Sequence, residues 1–540
     1  VPPQEPPPAL VIIDPKTPGE TYPFAHLSAT AVVAKLVWAL RFAATPLYNQ
    51  RLCLLNAYRD ETGLVVEACR IVNLVETKRF RWVYDEKSTS NDLTLLVSFL
   101  QDQEIYVFDE RAQLKLLRQL FGAGVEIGLF DLAPGIVKVF PALAGLSFAE
   151  IRAKSRLPRY NAEAGDLDIL LSLFVSSVYK TFPNLGAEFL PVLDLVALAS
   201  LADLMPLENE NRILVRLGMQ TLNKTRRPGL RALLMRLRLL GRPLSTTDVS
   251  WQLTPVLNAA GRMGEPGTAA GLLLSTDEAE RKALAERLET LNQQRKQASL
   301  AAWDVVLPPA RSFYEASGGL LALVRDPAIP RGITGILASR LMNTLGAPAL
   351  VMTHQGERIV GSLRTNRGFQ TRQFLDAFAD LFTDYGGHAQ AAGFHLPLDR
   401  AGEFQARLEA VLPNFSLDAA AEAVLEIDAE VPLEYLKAEL IQVVDLLEPY
   451  GEGNRPLIFV ARGLLVLDLD LMGKSGAAHA RLTLDAGAAK WPAIWWNALE
   501  FLERHEFGVG DRVDVAFNLG RNFYQGQESL QLTVLDLVKS

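Results

Sequence analysis

Apolar and polar positions change their spacing several times along the chain, and each change marks a different kind of element. Residues 10–13 form a short unbroken apolar run that reads as a buried strand, closed by Pro15, Pro18 and Gly19. Residues 29–43, rich in Ala, Val and Leu, read as a helix. After Tyr48 the pattern restarts. Strand-like segments at 64–66 and 105–108 and helical ones at 112–121 and 166–179 make residues 49–185 a separate inserted α/β domain. At Leu190 the buried style of the first segment returns, and residues 192–202 are nearly all apolar, as expected beside a doubly covered sheet.

Residues 276–306 are helical, with charges interspersed and Leu284, Leu288 and Leu291 on one face at i, i+4, i+7 spacing. A helix of about 30 residues spans about 45 Å and suits a connector between domains. A second α/β unit follows over residues 318–412. From residue 423 short strands dominate (457–460, 463–469, 480–484, 512–519 and 529–537), separated by Gly-containing turns, and they predict a small β-barrel. Apart from the Pro-rich run at residues 1–8 there is no low-complexity tract and no internal repeat.

Composition narrows the class without fixing the function. At 540 residues the chain exceeds what one core can organise, and three or four domains are expected. Its 49% apolar and 21% charged residues are those of an ordinary globular protein. A net charge of −8 argues against indiscriminate coating of nucleic acid but leaves room for a local basic channel. With Cys53 and Cys69 as the only cysteines, a disulfide framework and a Cys-based zinc site are both excluded, and a cytoplasmic setting is the simplest expectation. No apolar run reaches the roughly 20 residues that span a bilayer, so no membrane association is expected.

The stretch Gly386-Gly387-His388-Ala389-Gln390-Ala391-Ala392-Gly393-Phe394 carries the most chemistry. Two glycines before a histidine free the backbone to turn N–H groups toward an anion, as in a nest or a helix-start phosphate site. The same residues also suit a plain turn with a solvated histidine. Lys224, Arg226, Arg227, Arg231, Arg236, Arg238 and Arg242, with no acid among them, read either as a DNA path or as the wet side of an amphipathic helix. In the expected barrel, Trp491, Trp495, Trp496, Phe523 and Tyr524 are candidates for base stacking or for the barrel core.

Gly-Gly-His followed by Ala-Ala-Gly is the signature of the DHH-associated domain, and here the chain resembles the RecJ-like single-strand exonucleases of the DHH phosphoesterase family. Other segments agree in order. Gly332 to Leu341 resembles the helix before the signature, and Gly361-Ser362-Leu363-Arg364 its Gly-Ser-x-Arg substrate segment. Leu257-Asn258-Ala259-Ala260-Gly261-Arg262-Met263 resembles the segment that turns an Arg toward a nucleotide phosphate. Ala202-Asp203-Leu204-Met205-Pro206-Leu207 resembles the one holding the last metal-binding aspartate, and Pro449-Tyr450-Gly451-Glu452-Gly453-Asn454 leads into a barrel like that family's oligonucleotide-binding one. The resemblance covers residues 8–48 and 186–540. It departs at Ile329-Pro330-Arg331-Gly332, where the family has Trp-His-Pro-Gly, so one expected substrate contact is missing. It departs again at Leu363, where a small residue is usual.

The resemblance implies an α/β multidomain protein. Residues 1–48 and 186–275 would form the C-terminal part of a DHH domain, 49–185 an insert and 276–307 a connector helix. Residues 308–412 would form the DHH-associated substrate domain and 423–540 an OB-like barrel. It implies metal-dependent 5′→3′ digestion of single-stranded DNA in recombination and repair. Asp203 and His388 would be catalytic, and Asp203 a ligand of a two-ion Mn²⁺ or Mg²⁺ centre. Asn258, Arg262, Ser362, Arg364, Gly386, Gly387 and His388 would hold phosphates. Taken by itself, Asp203 reads equally as a helix-start cap. One carboxylate cannot hold two ions, and the family's Asp-rich and Asp-His-His motifs are not found. The segment from Pro6 to Lys16 resembles the family's residues immediately downstream of Asp-His-His, so the chain is expected to begin just past that motif and to lack most of the metal centre. The implied partners are single-stranded DNA, a single-strand-binding protein and a helicase. The alternatives are a non-catalytic, strand-holding scaffold derived from the family, and a phosphodiesterase of short oligonucleotides or cyclic dinucleotides, against which the barrel speaks. The insert, through Tyr106 to Glu110 and Phe130-Asp131, faintly resembles a ribonuclease-H-like proofreading exonuclease. Gln113 stands where that fold needs a metal-binding Asp, which implies an inert domain used for binding.

Overall fold

The computed structural model describes residues 8–84, 93–122, 124–418, 424–472, 479–498, 502, 507–524 and 527–540. The Pro-rich opening run, including Pro6 and Pro7, lies outside the described residues apart from Pro8. The chain divides into two compact units, one made of residues 1–28 and 197–540 and the other of Ala29–Val196, a wider span than the 49–185 insert expected. No described helix is long and apolar enough to cross a membrane.

The larger unit is organised along the helix Glu278–Ala316, whose 39 residues measure about 58 Å. Asp277 caps it by accepting from the Glu280 N–H at 2.7 Å. The sequence pattern predicts an end near residue 307, just ahead of Pro308 and Pro309. The helix instead runs through them. Val306 and Ala310 are fully buried against the neighbouring sheet, and that packing offsets the roughly 3 kcal/mol an interior proline costs. Upstream, the helices Pro228–Arg236, Thr254–Arg262 and Pro266–Leu274 pack against it, and Asn209–Leu222 precedes them. The apolar run at 192–202 forms the helix Leu193–Ala202. Residues 10–13 form no strand and are exposed. An apolar run becomes a strand only with a neighbour to bond to, and no described strand lies beside this one.

Residues 318–412 form a five-stranded sheet in which Ala322–Arg325, Ala349–Gln355, Arg358–Arg364, Ala391–Pro397 and Asp384–His388 are successive neighbours. Side chains alternate between its faces. Ala322, Val324, Ala349 and Val351 pack toward the long helix and Thr334–Leu345. Leu323, Leu350, Leu363 and Phe394 pack toward Thr371–Asp376 and Ala401–Val411. Gly361 is required under Phe394, whose ring would lie 2.3 Å from a Cβ there.

The C-terminal strands close into a barrel. Phe459–Met472, His479–Asp485, Lys490–Trp495, Gln527–Lys539 and Arg512–Tyr524 are neighbours in that order, and the last pairs with the first. The strand Lys490–Trp495 is not legible in the sequence, because Pro492 interrupts its apolar alternation.

The second unit holds a separate five-stranded sheet. Val75–Tyr84, Gly63–Val72 and Leu52–Asp60 form an antiparallel meander, continued by the parallel strands Glu104–Val107 and Phe130–Asp131. Cys53 and Cys69 lie on adjacent strands but face opposite cores, so no disulfide joins them.

Candidate nucleic-acid interface

The helix that begins at Thr254 ends at Arg262, where its backbone meets the turn Arg331–Ile333 of the substrate-domain segment. A Cβ on Gly332 would stand 1.7 Å from the Arg262 carbonyl oxygen, so only glycine permits this approach. Arg262 answers by donating from Nη1 to the Gly332 carbonyl at 3.3 Å. Three residues on, Gly335 leaves space for Arg364, whose Nη2 would lie 2.8 Å from a Cβ there. The glycine kept from the family's Trp-His-Pro-Gly is therefore the one this contact needs.

Arg262, Arg364 and Arg295 of the long helix form a cluster of like charge. Arg262 opens toward a cavity, yet enough protein surrounds its guanidinium that burial draws its pKa below the usual range. Arg295 and Arg364 are lowered too, first by burial and then by the positive charge of Arg262. Their hydrogen-bond partners are neutral: the Gly332 carbonyl for Arg262, Asn292 for Arg295 and the Leu363 carbonyl for Arg364. Among the described residues none of the three meets a carboxylate. Crowded guanidiniums without carboxylate partners are the kind of group that can hold an anion. Arg295 escapes sequence reasoning because the helix reads as a connector. Its signal is that residues 290–303 contain no acid.

A cavity of about 570 Å³ opens beside the cluster, lined by Arg262, Arg295, Asn258, Trp251, Ile336 and Tyr450 among others. Leu201, Ala202 and Leu204 on its wall flank Asp203. Asp203 is exposed and comes directly after the last residue of Leu193–Ala202, so it is not a helix-start cap. A carboxylate at a helix C-terminus is disfavoured by the helix dipole, and Leu204 beside it holds a left-handed φ of 52°. The turn is fixed from behind. Leu207 N–H donates to the Glu452 carbonyl at 2.6 Å, and Gly451 leaves room for the Leu207 side chain. Asn211, fully buried, donates to the Pro206 and His26 carbonyls. This is the physical content of the Pro449–Asn454 motif: it braces the turn that carries Asp203.

A pair of divalent ions needs several hard oxygen ligands. Among the described residues no three His, Cys, Asp or Glu side chains converge. Asp203 alone does not fit a two-ion centre.

The Gly-Gly-His stretch is neither a nest nor a helix start. Gly386, Gly387 and His388 lie exposed on the edge strand Asp384–His388, in a hairpin with Ala391–Pro397. Its register with the Gly-Ser-x-Arg strand is direct. Arg364 pairs with Ala391 and Ala391 with His388, while Ser362 pairs with Gly393 and Gly393 with Gly386. Arg364 and His388 thus share a sheet face two strand spacings apart, about 10 Å. Gly387 has a φ of 151°, and a Cβ there would meet the Ala391 carbonyl oxygen at 2.3 Å. The hairpin turn is pinned by Thr365 and Thr371, whose hydroxyls both donate to the Ala389 carbonyl. Ser362 is hydrogen-bonded to Thr334 at 2.9 Å.

The remaining candidates separate. Arg236 pairs with Glu289 at 2.5 Å and Arg242 with Asp248 at 2.6 Å, which takes two members out of the basic cluster. Trp491 and Trp495 are buried in the barrel core, Trp496 is exposed, and Phe523 lies under the Arg242 guanidinium. The Tyr524 side chain lies outside the described part of the structure. In the second unit, Gln113 is a buried clasp. Its amide accepts from the Ala57 N–H at 2.7 Å and donates to the Ala57 carbonyl and to Asn56.

Two domain families match in the same order as these features, the DHHA1 domain over residues 318–414 and the RecJ OB domain over residues 427–536. The single-stranded-DNA-specific exonuclease RecJ of Bacillus subtilis is 28% identical over 359 residues, 65% of this chain and 44% of that protein. These matches make the chain RecJ-like. The crystal structure of RecJ in complex with Mn²⁺ from Thermus thermophilus matches the RecJ-like chain with a TM-score of 0.53 at 26% identity, covering 83% of it and 64% of the Thermus chain. The Mg²⁺ complex of the same protein matches with a TM-score of 0.52 at 27% identity, covering 70% and 56%. The RecJ-like chain spans about half the length of the curated relatives it matches.

Proposed function

We propose that the chain is the strand-holding part of a metal-dependent, single-strand-specific 5′→3′ exonuclease of recombination and repair. Arg262, Arg295 and Arg364 would take a phosphate of single-stranded DNA, and Asn258, Ser362, Gly386, Gly387 and His388 would line the approach. The observation that carries this reading is the cluster of guanidiniums without carboxylate partners beside an open cavity. The barrel supports it, since a small phosphodiester substrate needs no strand-gripping domain. Asp203 would supply one ligand to Mn²⁺ or Mg²⁺, the ions of the Thermus RecJ complexes, and cutting would need further carboxylates and histidines. Because Asp203 stands alone among the described residues, holding without cutting is the activity proposed for these 540 residues by themselves.

Single-stranded DNA is the partner this reading requires. A single-strand-binding protein and a helicase are proposed to deliver it, and the cytoplasm is the proposed setting, which suits two buried, unpaired cysteines. The test is fluorescence polarisation with a 5′-phosphorylated single strand and its duplex. The chain is expected to prefer the single strand, and Arg262→Ala and Arg364→Ala each to weaken binding about tenfold. Unchanged affinity in both variants would remove the cluster from the interface.

A further inference from the structure

We propose that Trp251 is a stacking platform for a base of the bound strand, a few nucleotides from the phosphate at Arg262. The inference rests on the strand-holding reading above and names a positioning residue for it.

Trp251 is 78% exposed, so its indole contributes little to the core and is available as surface. It sits in a π-helical turn, Val249–Leu253, set between Thr246–Asp248 and Thr254–Arg262 in one continuous helical path. Such single π turns are frequent at functional sites. Trp251, Pro255, Asn258 and Arg262 succeed one another at i, i+4, i+7 and i+11, which places them in one stripe. All four line the same cavity. Eleven residues at helical rise put the Cα atoms of Trp251 and Arg262 about 16 Å apart along the axis.

The stripe therefore offers a cation, an amide, a pyrrolidine edge and an indole face in order. A phosphodiester chain offers the matching order of charge and flat rings, and every base has a π-face to stack. The facing wall carries Tyr450, Gly451 and Pro456, with Glu452 as the acidic residue of the lining. A second cavity, of about 680 Å³, shares Thr246, Thr247, Tyr450 and Pro456 with the first. It extends the cleft past Trp251 to Asn518, Asn522 and Phe523 of the barrel. A strand anchored at Arg262 and leading to the barrel would pass the indole.

The 540-residue chain is tested against a 5′-phosphorylated single strand of about 12 nucleotides and, as a competitor, a 5′-phosphorylated dinucleotide. Trp251→Ala is expected to weaken the longer strand about 5- to 150-fold and to leave the dinucleotide unchanged. Trp251→Phe should restore most of the affinity, and the thermal midpoint of both variants should match the parent. Full affinity of Trp251→Ala for the longer strand would overturn the proposal. So would an equal loss for both ligands, because the ring would then act through the arginine cluster. A parent chain that binds neither ligand would overturn the strand-holding reading itself, and this proposal with it.

Discussion

Gly332 and Arg262 touch backbone to backbone: a Cβ on Gly332 would stand 1.7 Å from the Arg262 carbonyl oxygen and 2.8 Å from its Cα. No side-chain rearrangement relieves a clash with backbone. Gly332→Ala should therefore destabilise the larger unit by about 3 kcal/mol, the upper end for overpacking, and displace Arg262 as well. Gly335→Ala is the contrast, since its Cβ would meet only the end of the Arg364 side chain. Urea unfolding should find Gly335→Ala as stable as the parent, while its strand affinity falls. Equal stability of Gly332→Ala and the parent would show that this contact is not close-packed.

Burial makes Arg295 and Arg364 costly to keep charged, and the positive charge of Arg262 adds to that cost. Removing one should relieve that cost. Arg364→Gln is expected to hold or raise the thermal midpoint while weakening strand binding. The slope of log affinity against log salt should fall by about 0.7, the value for one phosphate contact on a single strand. A drop in stability above about 1 kcal/mol would make Arg364 a structural residue.

The long helix and most of the barrel are legible in the sequence because their apolar periods are long and regular, while residues 318–412 are legible only as an α/β unit. Residues 10–13 mislead because a short apolar run gives composition and not partners. The expected helix end at 307 is wrong because tertiary packing of Val306 and Ala310 outweighs Pro308 and Pro309. Within the site, Arg262 and Arg364 stand out through the motifs around them, and their meeting with Arg295 does not. That convergence depends on how Thr254–Arg262, the long helix and the strand Arg358–Arg364 pack, which no local pattern encodes. The Gly-Gly-His stretch is the most informative segment of the sequence, yet its expected local geometry is wrong. Paired glycines suit an edge hairpin as well as a nest, and only the partner strand decides between them.

Asp203 is exposed, beside a left-handed Leu204 and braced by Leu207 and Glu452. With no three ligands converging among the described residues, the 540-residue chain is expected to release no nucleotide from a 5′-phosphorylated single strand in Mn²⁺. Clear turnover would show that these residues build a complete metal site. In a protein that also carries the Asp-rich and Asp-His-His motifs, Asp203→Ala should abolish digestion and spare strand binding. Retained digestion would remove Asp203 from metal binding.

Cys53 and Cys69 give the second unit a distinct response to alkali. Burial pushes both thiols up to about 12, with the neighbouring Cys69 adding to the effect on Cys53 and Glu76 to that on Cys69. A raised folded-state pKa means that the fold holds the proton more tightly than the unfolded chain does. The resulting stability is fully present below the ordinary thiol value of 9.0 and is lost as pH rises from there toward about 12. Over that window each thiol can contribute a loss of up to about 1.4 kcal/mol per pH unit. Cys53→Ala/Cys69→Ala should flatten the decline in a denaturant series between about pH 9 and 11, leaving the part due to Tyr58, Tyr106 and Tyr179, whose hydroxyls burial also raises. Because the thiolate is the nucleophile, both cysteines of the native chain should also resist alkylation at about pH 8 and react once urea unfolds it. Rapid labelling of the native protein would mean that the two strands open far more readily than their burial implies.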